Sequence, residues 1–576
     1  MTYMDKYNQW LSIPGLDHNL KEELEMIKGE VREIEARFYK ELEFGTGGLR
    51  GILGAGSNRL NIYTVRKTTQ GLANYLKQKG GEKELSVAIG YDSRRMSKEF
   101  ATEAGLVLAQ NGVKAYVFSE IAATPILSFA VRELKASGGI VITASHNPPE
   151  YNGYKVYGEC GGQVTDEAAN NIIDEISKVD NELEIAAMEL DEAVKAGLFQ
   201  YIGDEILTKY NRKLKNLSLN PHIVTEYSDG FRVVYTPLHG TGGKPVVRIL
   251  KDMGFSHVYL VPEQSEGNGE FPTVKYPNPE EQDAFELAIK LGKDVDADIL
   301  MATDPDADRL GVAVKDKDGE YFFVTGNQLG ALMLDYILSQ KKEHGTLPEQ
   351  GMVIKTVVTS EIGRDIAKYY GLEAIDTLTG FKYICEKIKE FYEQGGKKFL
   401  FGYEESYGYL IGDFVRDKDA IQACQIAAEM TLFYKTQGLT LSEKLEDIFK
   451  RLGYYKEDLT SFVLEGKEGQ EQIKRILDTF RSEGLKEVNG KKIDLAIDYL
   501  KQEEISLRED TVTSTNLPAA NVLKYILEDD SWFCIRPSGT EPKIKIYFGV
   551  REKSEDSATK KLAELKGSFI KMLESN

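Results

Sequence analysis

The chain has 576 residues, 41% hydrophobic and 28% charged, with a formal net charge of −20 and a sequence pI near 5.1. At roughly 150 residues per domain this length suggests about four domains, and the composition is that of a globular protein able to build sizeable cores. The acidic balance argues against a nucleic-acid or anionic-membrane footprint, so an anionic substrate would have to be met by a local pocket.

The first forty residues are polar and charge-rich, without the apolar run of a signal peptide, and no stretch of about 18 apolar residues proposes a membrane span. Cys160, Cys385, Cys424 and Cys534 are far apart and form no Cys-x-x-Cys. Reduced thiols in a cytoplasmic protein are therefore expected. Residues 4–43 read as helical, with Leu20, Leu24, Ile27, Val31 and Ile34 near a period of about 3.6. Phe44-Gly45-Thr46-Gly47-Gly48-Leu49-Arg50-Gly51 follows. Its glycines would let backbone N–H groups approach an anion and Arg50 could complement the charge; a flexible connector is the alternative.

A βα rhythm comes next: strand 86–90, ending in Tyr91-Asp92-Ser93-Arg94-Arg95, then helix 99–111, strand 114–118 and strand 139–143. The last delivers Thr143-Ala144-Ser145-His146-Asn147-Pro148-Pro149, with Lys155 soon after. Residues 165–209 are acidic and mostly helical in pattern. A second α/β unit begins near 225, with strands 232–235 and 257–261 and a strand 298–301 leading into Thr303-Asp304-Pro305-Asp306-Ala307-Asp308-Arg309. A third, from about 321, has helix 327–339, strands 352–357, 373–376 and 398–401, and two polar loops, Leu378-Thr379-Gly380-Phe381-Lys382 and Gly402-Tyr403-Glu404-Glu405-Ser406-Tyr407-Gly408. Residues 441–505 read as helix-rich and strongly charged. The remainder, with strands 532–535 and 543–548 around Arg536-Pro537-Ser538-Gly539-Thr540-Glu541-Pro542 and a helix 556–573, is α+β. Strands alternating with helical patterns imply βαβ units with largely parallel sheets.

The loops carry the chemistry. Ser145 lies at a strand's C-terminal end, where ligands bind in open α/β sheets, within eleven residues of an imidazole and an ammonium. It lacks the Gly-x-Ser-x-Gly elbow, since Thr143 and Asn147 hold the glycine places. A histidine adjacent in sequence is not expected to make the serine–histidine hydrogen bond of a triad. Asp304, Asp306 and Asp308 would repel unless neutralised, and hard oxygen ligands select Mg²⁺, Ca²⁺ or Mn²⁺. An EF-hand reading fails because Arg309 and Lys315 stand where glycine and glutamate belong. A haloacid-dehalogenase reading would need the Asp-x-Asp early in its domain. Thr236-Pro237-Leu238-His239-Gly240-Thr241-Gly242-Gly243-Lys244 is not a Walker A loop, for want of the first glycine and of Ser or Thr after the lysine. Arg536, Ser538, Gly539 and Thr540 suit a phosphate. Glu404 and Ser406 suit vicinal sugar hydroxyls or a general acid/base role. Ordinary polar turns remain the alternative at each place.

Taken together, residues 44–51, 143–149 with Lys155, 304–309, 404–406 and 536–540 resemble, in order and spacing, the α-D-phosphohexomutase superfamily. Glu404-Glu405-Ser406-Tyr407-Gly408 and the long N-terminal lead look most like its branch of bacterial phosphoglucomutases, phosphopentomutases and bisphosphate synthases. The resemblance implies a helical lead (1–43) and four domains in a heart-like arrangement, the last one hinged. Three would be doubly wound mixed-sheet α/β domains (44–205, 206–320, 321–445) and the fourth C-terminal α+β (446–576). It implies that Ser145 carries a phosphoryl group and, with Asp304, Asp306 and Asp308, binds one Mg²⁺. Lys155, His146 and Arg50 would handle protons and charge. Arg309 would contact substrate, Thr379, Gly380 and Lys382 would line the sugar or phosphate side, and Glu404 and Ser406 would hold hydroxyls. Arg536, Ser538, Gly539 and Thr540 would grip the non-reacting phosphate. The implied activity interconverts glucose 1-phosphate and glucose 6-phosphate, primed by glucose 1,6-bisphosphate, in a cytoplasmic monomer or weak homodimer without nucleic-acid or membrane partners. Mannose or pentose phosphates are the alternative substrates; a silent sugar-phosphate-binding regulator and a phosphatase are the alternative classes.

Overall fold

A computed structural model describes all residues except 1, 46, 81–83, 464–465, 538–542 and 576. The chain divides into two compact units, one of residues 1–329 and 381–440, the other of 330–380 and 441–576. Among the described residues no helix is long and apolar enough to cross a membrane.

The first unit contains two mixed sheets. Strands β1 (Gly48–Ile52), β2 (Ser86–Tyr91), β3 (Lys114–Phe118), β4 (Gly138–Ile142), β5 (Tyr151–Gly158) and β6 (Phe199–Ile202) are ordered β1-β5-β4-β2-β3-β6. β2 is parallel to β3 and β4, and β5 runs antiparallel between β4 and β1. The second sheet comprises β7 (Arg232–Thr236), β8 (His257–Leu260), β9 (Ile299–Thr303), β10 (Leu310–Lys315) and β11 (Tyr321–Val324), in the order β11-β10-β9-β7-β8. β4 and β9 are buried along their whole length, as expected of continuous apolar runs covered on both faces. Each ends in one of the polar loops, so the sheet edges bearing Ser145 and the aspartates are set by the most buried strands in their layers. A hairpin of Lys398–Glu404 and Gly408–Leu410 also belongs to this unit.

The N-terminal lead is three helices, Tyr3–Ser12, His18–Met26 and Val31–Phe38, rather than one helical stretch. Gly15 (φ 84°) and Gly29 (φ 95°) break it with left-handed backbone that other side chains resist. Val31, expected on the apolar face, is exposed, because it starts the third helix. Trp10 instead anchors the lead, edge-on to Phe38 (5.7 Å) and Tyr63 (5.5 Å). From Gly48 onward the glycine loop is the edge strand carrying Arg50.

In the second unit, strands Gly351–Thr356 and Glu373–Thr377 pair in parallel. The C-terminal sheet is antiparallel and holds Tyr454–Val463, Lys491–Asp498, Leu523–Leu527, Trp532–Pro537 and Lys543–Glu552. Its core gathers Leu477, Phe533, Ile535, Ile546, Phe548 and Phe569. Residues 441–505 are helix-rich, with helices Leu441–Leu452 and Gly466–Glu483, and they also hold strands Tyr454–Val463 and Lys491–Asp498. The charged residues of Tyr454–Val463, Lys456, Glu457 and Asp458, are partly buried, and Lys456 and Asp458 pair with Glu555 and Lys566.

Candidate active site

The serine loop is shaped by one buried guanidinium. Arg94, 3% exposed, follows β2 and donates to the carbonyls of Ser145 (2.6 Å), Pro148 (2.8 Å), Tyr151 (3.0 Å) and Asn147. Asp92 holds the same corner together, accepting from Thr143 Oγ1 (2.6 Å), Ser97 Oγ (2.7 Å) and the Arg94 amide (2.9 Å). Ser145 itself has φ 51°, a left-handed conformation that costs a non-glycine residue about 1–2 kcal/mol and is sustained by the surrounding bonds. Its amide donates to Thr143 Oγ1 at 2.8 Å.

The turn brings Ser145 Oγ within 2.6 Å of Asp304 Oδ2 and 3.2 Å of His146 Nδ1. The hydroxyl gives its one hydrogen to Asp304, so the approach of His146 is not the serine-to-histidine hydrogen bond of a triad. The left-handed serine folds the loop so that both side chains leave on one side. Burial, with Arg309 and Arg50 nearby, holds the His146 imidazole well below its ordinary pKa, so it is neutral at pH 7. Arg50, exposed on β1, donates to Asn147 Oδ1 at 3.2 Å.

Across from the serine, one ligand atom from each of Asp304, Asp306 and Asp308 falls within 4.8 Å of the others, and all three residues are buried. Ala307 between them is left-handed (φ 53°). Asp304 Oδ1 accepts from the amides of Asp308 and Arg309, both at 3.0 Å. Lys155 Nζ lies 2.9 Å from Asp306 Oδ2 and 3.8 Å from Asp308 Oδ2. Lys418 Nζ reaches the same Asp308 oxygen at 3.1 Å and Asp417 Oδ1 at 3.3 Å. Arg309 pairs with Glu280. The Oδ1 atoms of Asp306 and Asp308 are buried with no hydrogen-bond partner among the described residues. Hard, convergent, unmet carboxylate oxygens fit a divalent cation with oxygen preference.

The electrostatics divide the carboxylates. Burial, then Asp306 and Asp308, push Asp304 well above the ordinary range. Burial opposes ionisation of Asp306 too, but Lys155 outweighs it and holds this carboxyl well below that range. Burial alone would discharge Lys155, yet Asp306 and Asp308 keep it charged with a raised pKa. Lys418 is raised further, burial again being overcome by Asp308, Asp417 and Glu404.

The hairpin loop is tied to the aspartate loop: Arg309 bridges Gly408, and the Leu310 amide donates to Tyr407 O at 3.0 Å. Glu404 is buried at its head, within electrostatic reach of Arg309 and Lys418; Ser406 sits on the turn, half-buried. Lys382 Nζ pairs with Asp166 Oδ1 at 2.5 Å. The first unit thus brings together Ser145, His146, Arg50, Lys155, the three aspartates, Arg309 and Glu404. The second unit carries Thr379, whose buried Oγ1 has no hydrogen-bond partner among the described residues, Gly380 (φ 122°) and, on a C-terminal strand, Arg536. Ser538, Gly539 and Thr540 lie outside the described residues.

Sequence reading missed Arg94, Asp92, Lys418 and Glu280. Asp-Ser-Arg-Arg at the end of β2 was the available signal for the first two, since β2 neighbours the serine's own strand. Nothing local marks Lys418, which arrives from more than a hundred residues away.

Residues 41–183, 208–319, 325–452 and 487–564 match, in turn, α/β/α domains I, II and III and the C-terminal domain of phosphoglucomutase/phosphomannomutase. A phosphoglucomutase of Staphylococcus haemolyticus is 39% identical over 516 residues, 90% of this chain and 91% of the relative. That of Staphylococcus saprophyticus is 38% identical over 535 residues, 92% and 94% of the two chains. A Paramecium structure, the phosphoprotein pp63/parafusin (phosphoglucomutase) in its open form, has a TM-score of 0.68 at 18% identity over 93% of this chain and 94% of its own. A phosphoglucomutase/phosphomannomutase family protein of Burkholderia thailandensis gives 0.63 at 20% identity, covering 92% and 97%. At such identities these two share the fold.

Proposed function

The chain belongs to the phosphoglucomutase/phosphomannomutase family, and from that premise we propose that it is a phosphoglucomutase interconverting glucose 1-phosphate and glucose 6-phosphate. The observation that carries this reading is the 2.6 Å contact between Ser145 Oγ and one of three buried aspartates, beside Lys155, Lys418 and Arg309. A nucleophile among cations and convergent carboxylates is arranged for phosphoryl rather than acyl transfer.

In this reading Ser145 carries the phosphoryl group, and Asp304, Asp306, Asp308 and the phosphoserine hold one Mg²⁺. Bound there, the ion neutralises charge on the phosphoryl oxygens. The sugar hydroxyl attacks phosphorus and gives up its proton, its O–P bond forms as the serine O–P bond breaks, the Ser145 oxygen takes a proton back, and the bisphosphorylated sugar, glucose 1,6-bisphosphate, turns to return its other phosphate. Lys418, 3.1 Å from Asp308, offers charge to the transferring group. Lys155, ten residues after Ser145 and with its Nζ 2.9 Å from Asp306, is the candidate that takes and returns protons at the reacting oxygens. His146, within 3.2 Å of the Ser145 hydroxyl oxygen, is a supporting donor there. Arg50 supports the phosphate. Glu404 and Ser406 hold sugar hydroxyls, with Thr379, Gly380 and Lys382 lining the sugar, and Arg536, Ser538, Gly539 and Thr540 grip the phosphate that does not react. We further assign the helical lead to 1–43 and the four domains to 44–205, 206–320, 321–445 and 446–576. Free sugar phosphates in the cytoplasm are the partners of such an enzyme, and the net charge of −20 supports action away from nucleic acids and anionic membranes.

Two measurements test this. Intact mass of the isolated protein carries one phosphoryl group that is lost in Ser145→Ala. Comparison of kcat/KM for glucose 1-phosphate, mannose 1-phosphate and ribose 1-phosphate favours glucose; a preference for ribose would assign the chain to pentose phosphates instead.

A further inference from the structure

Asp306 is held from outside its own loop. Thr124, fully buried, begins the helix Thr124–Glu133, whose N-cap is Ala123 and which has no side-chain cap. The Thr124 hydroxyl does not cap its own helix. It donates to Asp306 Oδ2 at 2.9 Å, across 182 positions of chain, and the Thr124 amide donates to the Asp306 carbonyl, also at 2.9 Å. Lys155 Nζ approaches the same carboxylate oxygen, Oδ2, at 2.9 Å. Oδ1 has no partner among the described residues and is buried.

A carboxylate turns easily about its last torsion, whose profile is broad and roughly two-fold. Nothing intrinsic to an aspartate decides which oxygen faces a cation. Here the decision is external: the backbone is pinned by one Thr124 donor, the side chain by the other, and Lys155 adds a second donor to the pinned oxygen. A matching arrangement fixes the preceding peptide. Thr241, in the glycine-rich loop that fails as a Walker A motif, gives its amide (2.8 Å) and hydroxyl (2.9 Å) to the carbonyl of Pro305. Gly240 lies so close that a Cβ there would stand 2.4 Å from Pro305 Cα. Two threonines from different parts of the unit thus grip successive carbonyls of the aspartate loop, and only Thr124 also touches a carboxylate.

We propose that Thr124 is a positioning residue that locks Asp306 with Oδ2 turned away and Oδ1 presented as the metal ligand. The proposal rests on the metal reading given above. Outer partners of this kind typically change metal affinity by about 10–100-fold when removed. The role goes to the hydroxyl, because Thr124→Val keeps the shape, the helix start and the amide bond to Asp306.

The test is direct Mn²⁺ binding to the full-length protein, followed by electron paramagnetic resonance of the free ion, with Asp306→Asn as the reference. Asp306→Asn loses Mn²⁺ binding if the metal reading is right; if it binds as wild type, that reading fails and the proposal falls with it. Given that loss, Thr124→Val is expected to weaken Mn²⁺ binding by about tenfold or more, with an unchanged melting temperature in the absence of metal. Thr124→Ser restores affinity to within about threefold, because it keeps the hydroxyl. Turnover by Thr124→Val recovers as Mg²⁺ is raised, with KM for the sugar phosphate unmoved. Wild-type Mn²⁺ affinity in a folded Thr124→Val overturns the proposal, and so does a Thr124→Ser variant as weak as Thr124→Val. Should the valine variant not fold, Thr124→Ala is measured in the same way against Thr124→Ser.

Discussion

The two units each bury a knot of charge, and the knots differ in how they close. In the second unit Lys355 Nζ meets Glu361 Oε1 (3.1 Å) and Asp376 Oδ1 (3.0 Å). Lys524 Nζ meets the same Glu361 oxygen (3.1 Å) and the Val357 carbonyl (2.8 Å). Arg364 closes the ring onto Glu361 (2.9 Å) and Asp376 (2.7 Å). Here three cations share two carboxylates, and the two lysines both reach Glu361. In the first unit Lys155, Lys418 and Arg309 reach the aspartates, with Arg309 Nε 3.9 Å from Asp308 Oδ1. The Oδ1 atoms of Asp306 and Asp308 make no hydrogen bond among the described residues, whereas in the second unit's knot the one such carboxylate oxygen, Asp376 Oδ1, stands 3.0 Å from Lys355 Nζ. A buried ionic cluster whose charges meet one another ties elements together, whereas one that leaves ligand oxygens open is prepared for something from outside. Proximity of charge alone does not tell the two apart.

The contrast breaks in different ways on each side. The largest effect is expected at Ser145. Ser145→Ala should lower turnover by roughly 10⁶-fold, the scale of losing a covalent nucleophile, without changing the melting temperature by more than a few degrees; single-turnover assays measure it. Lys418→Met removes a charge from the open cluster while preserving chain length, and should lower kcat by about 10²–10³-fold with the fold intact by circular dichroism.

In the closed cluster the sign is reversed, so that stability suffers and chemistry does not. Glu361→Gln leaves buried lysines short of a counter-charge and should destabilise the second unit by about 3–5 kcal/mol, measured by denaturant unfolding, while Mn²⁺ binding at the aspartates persists. Acid sharpens the point. Burial would raise the Glu361 carboxyl, but Lys355, Lys524 and Arg364 hold it well below its ordinary range. A depressed carboxylate contributes stability that is present above the unfolded pKa of about 4.3 and is lost as pH falls through the lower folded value. Wild type should therefore lose stability below about pH 4, and Glu361→Gln should lose less over the same range.

The smallest effect is expected at Asp419, which caps the helix Ala420–Thr436 through the amides of Ile421 and Gln422, both at 3.0 Å. Burial pushes its carboxyl up to about 6. A raised carboxyl contributes stability that is complete below its unfolded pKa of about 3.9 and is lost as pH rises through about 6. Melting temperatures of wild type and Asp419→Asn should therefore converge near neutral pH from a wild-type advantage at pH 4.

Much of the candidate site's layout was legible in the sequence because β4 and β9 are uninterrupted apolar runs that end in polar loops. Ser145 and the aspartates could be placed at strand ends without any long-range knowledge. β5 was not read as a strand, since Tyr151-Asn152-Gly153 looks like a turn, and so Lys155 was assigned a role before it had a position. The antiparallel return of β5 beside β4 is what swings Lys155 toward Asp306. Arg94 was illegible for another reason. Its partners are main-chain carbonyls, which have no sequence identity, and a residue that organises backbone leaves no pattern among side chains. Thr124 and Lys418 depend on contacts across the unit and could not be found from spacing.

Arg94 also bears on ionic strength. Its guanidinium is buried against four carbonyls, where mobile ions do not reach it and added salt screens little. Arg50, exposed on the edge strand, is open to counter-ions and its attraction for a phosphate fades as salt is raised. The serine loop should keep its shape in concentrated salt while the approach of an anionic sugar weakens. Salt inhibition of this protein should thus be felt in the encounter with substrate and much less in the geometry that meets it.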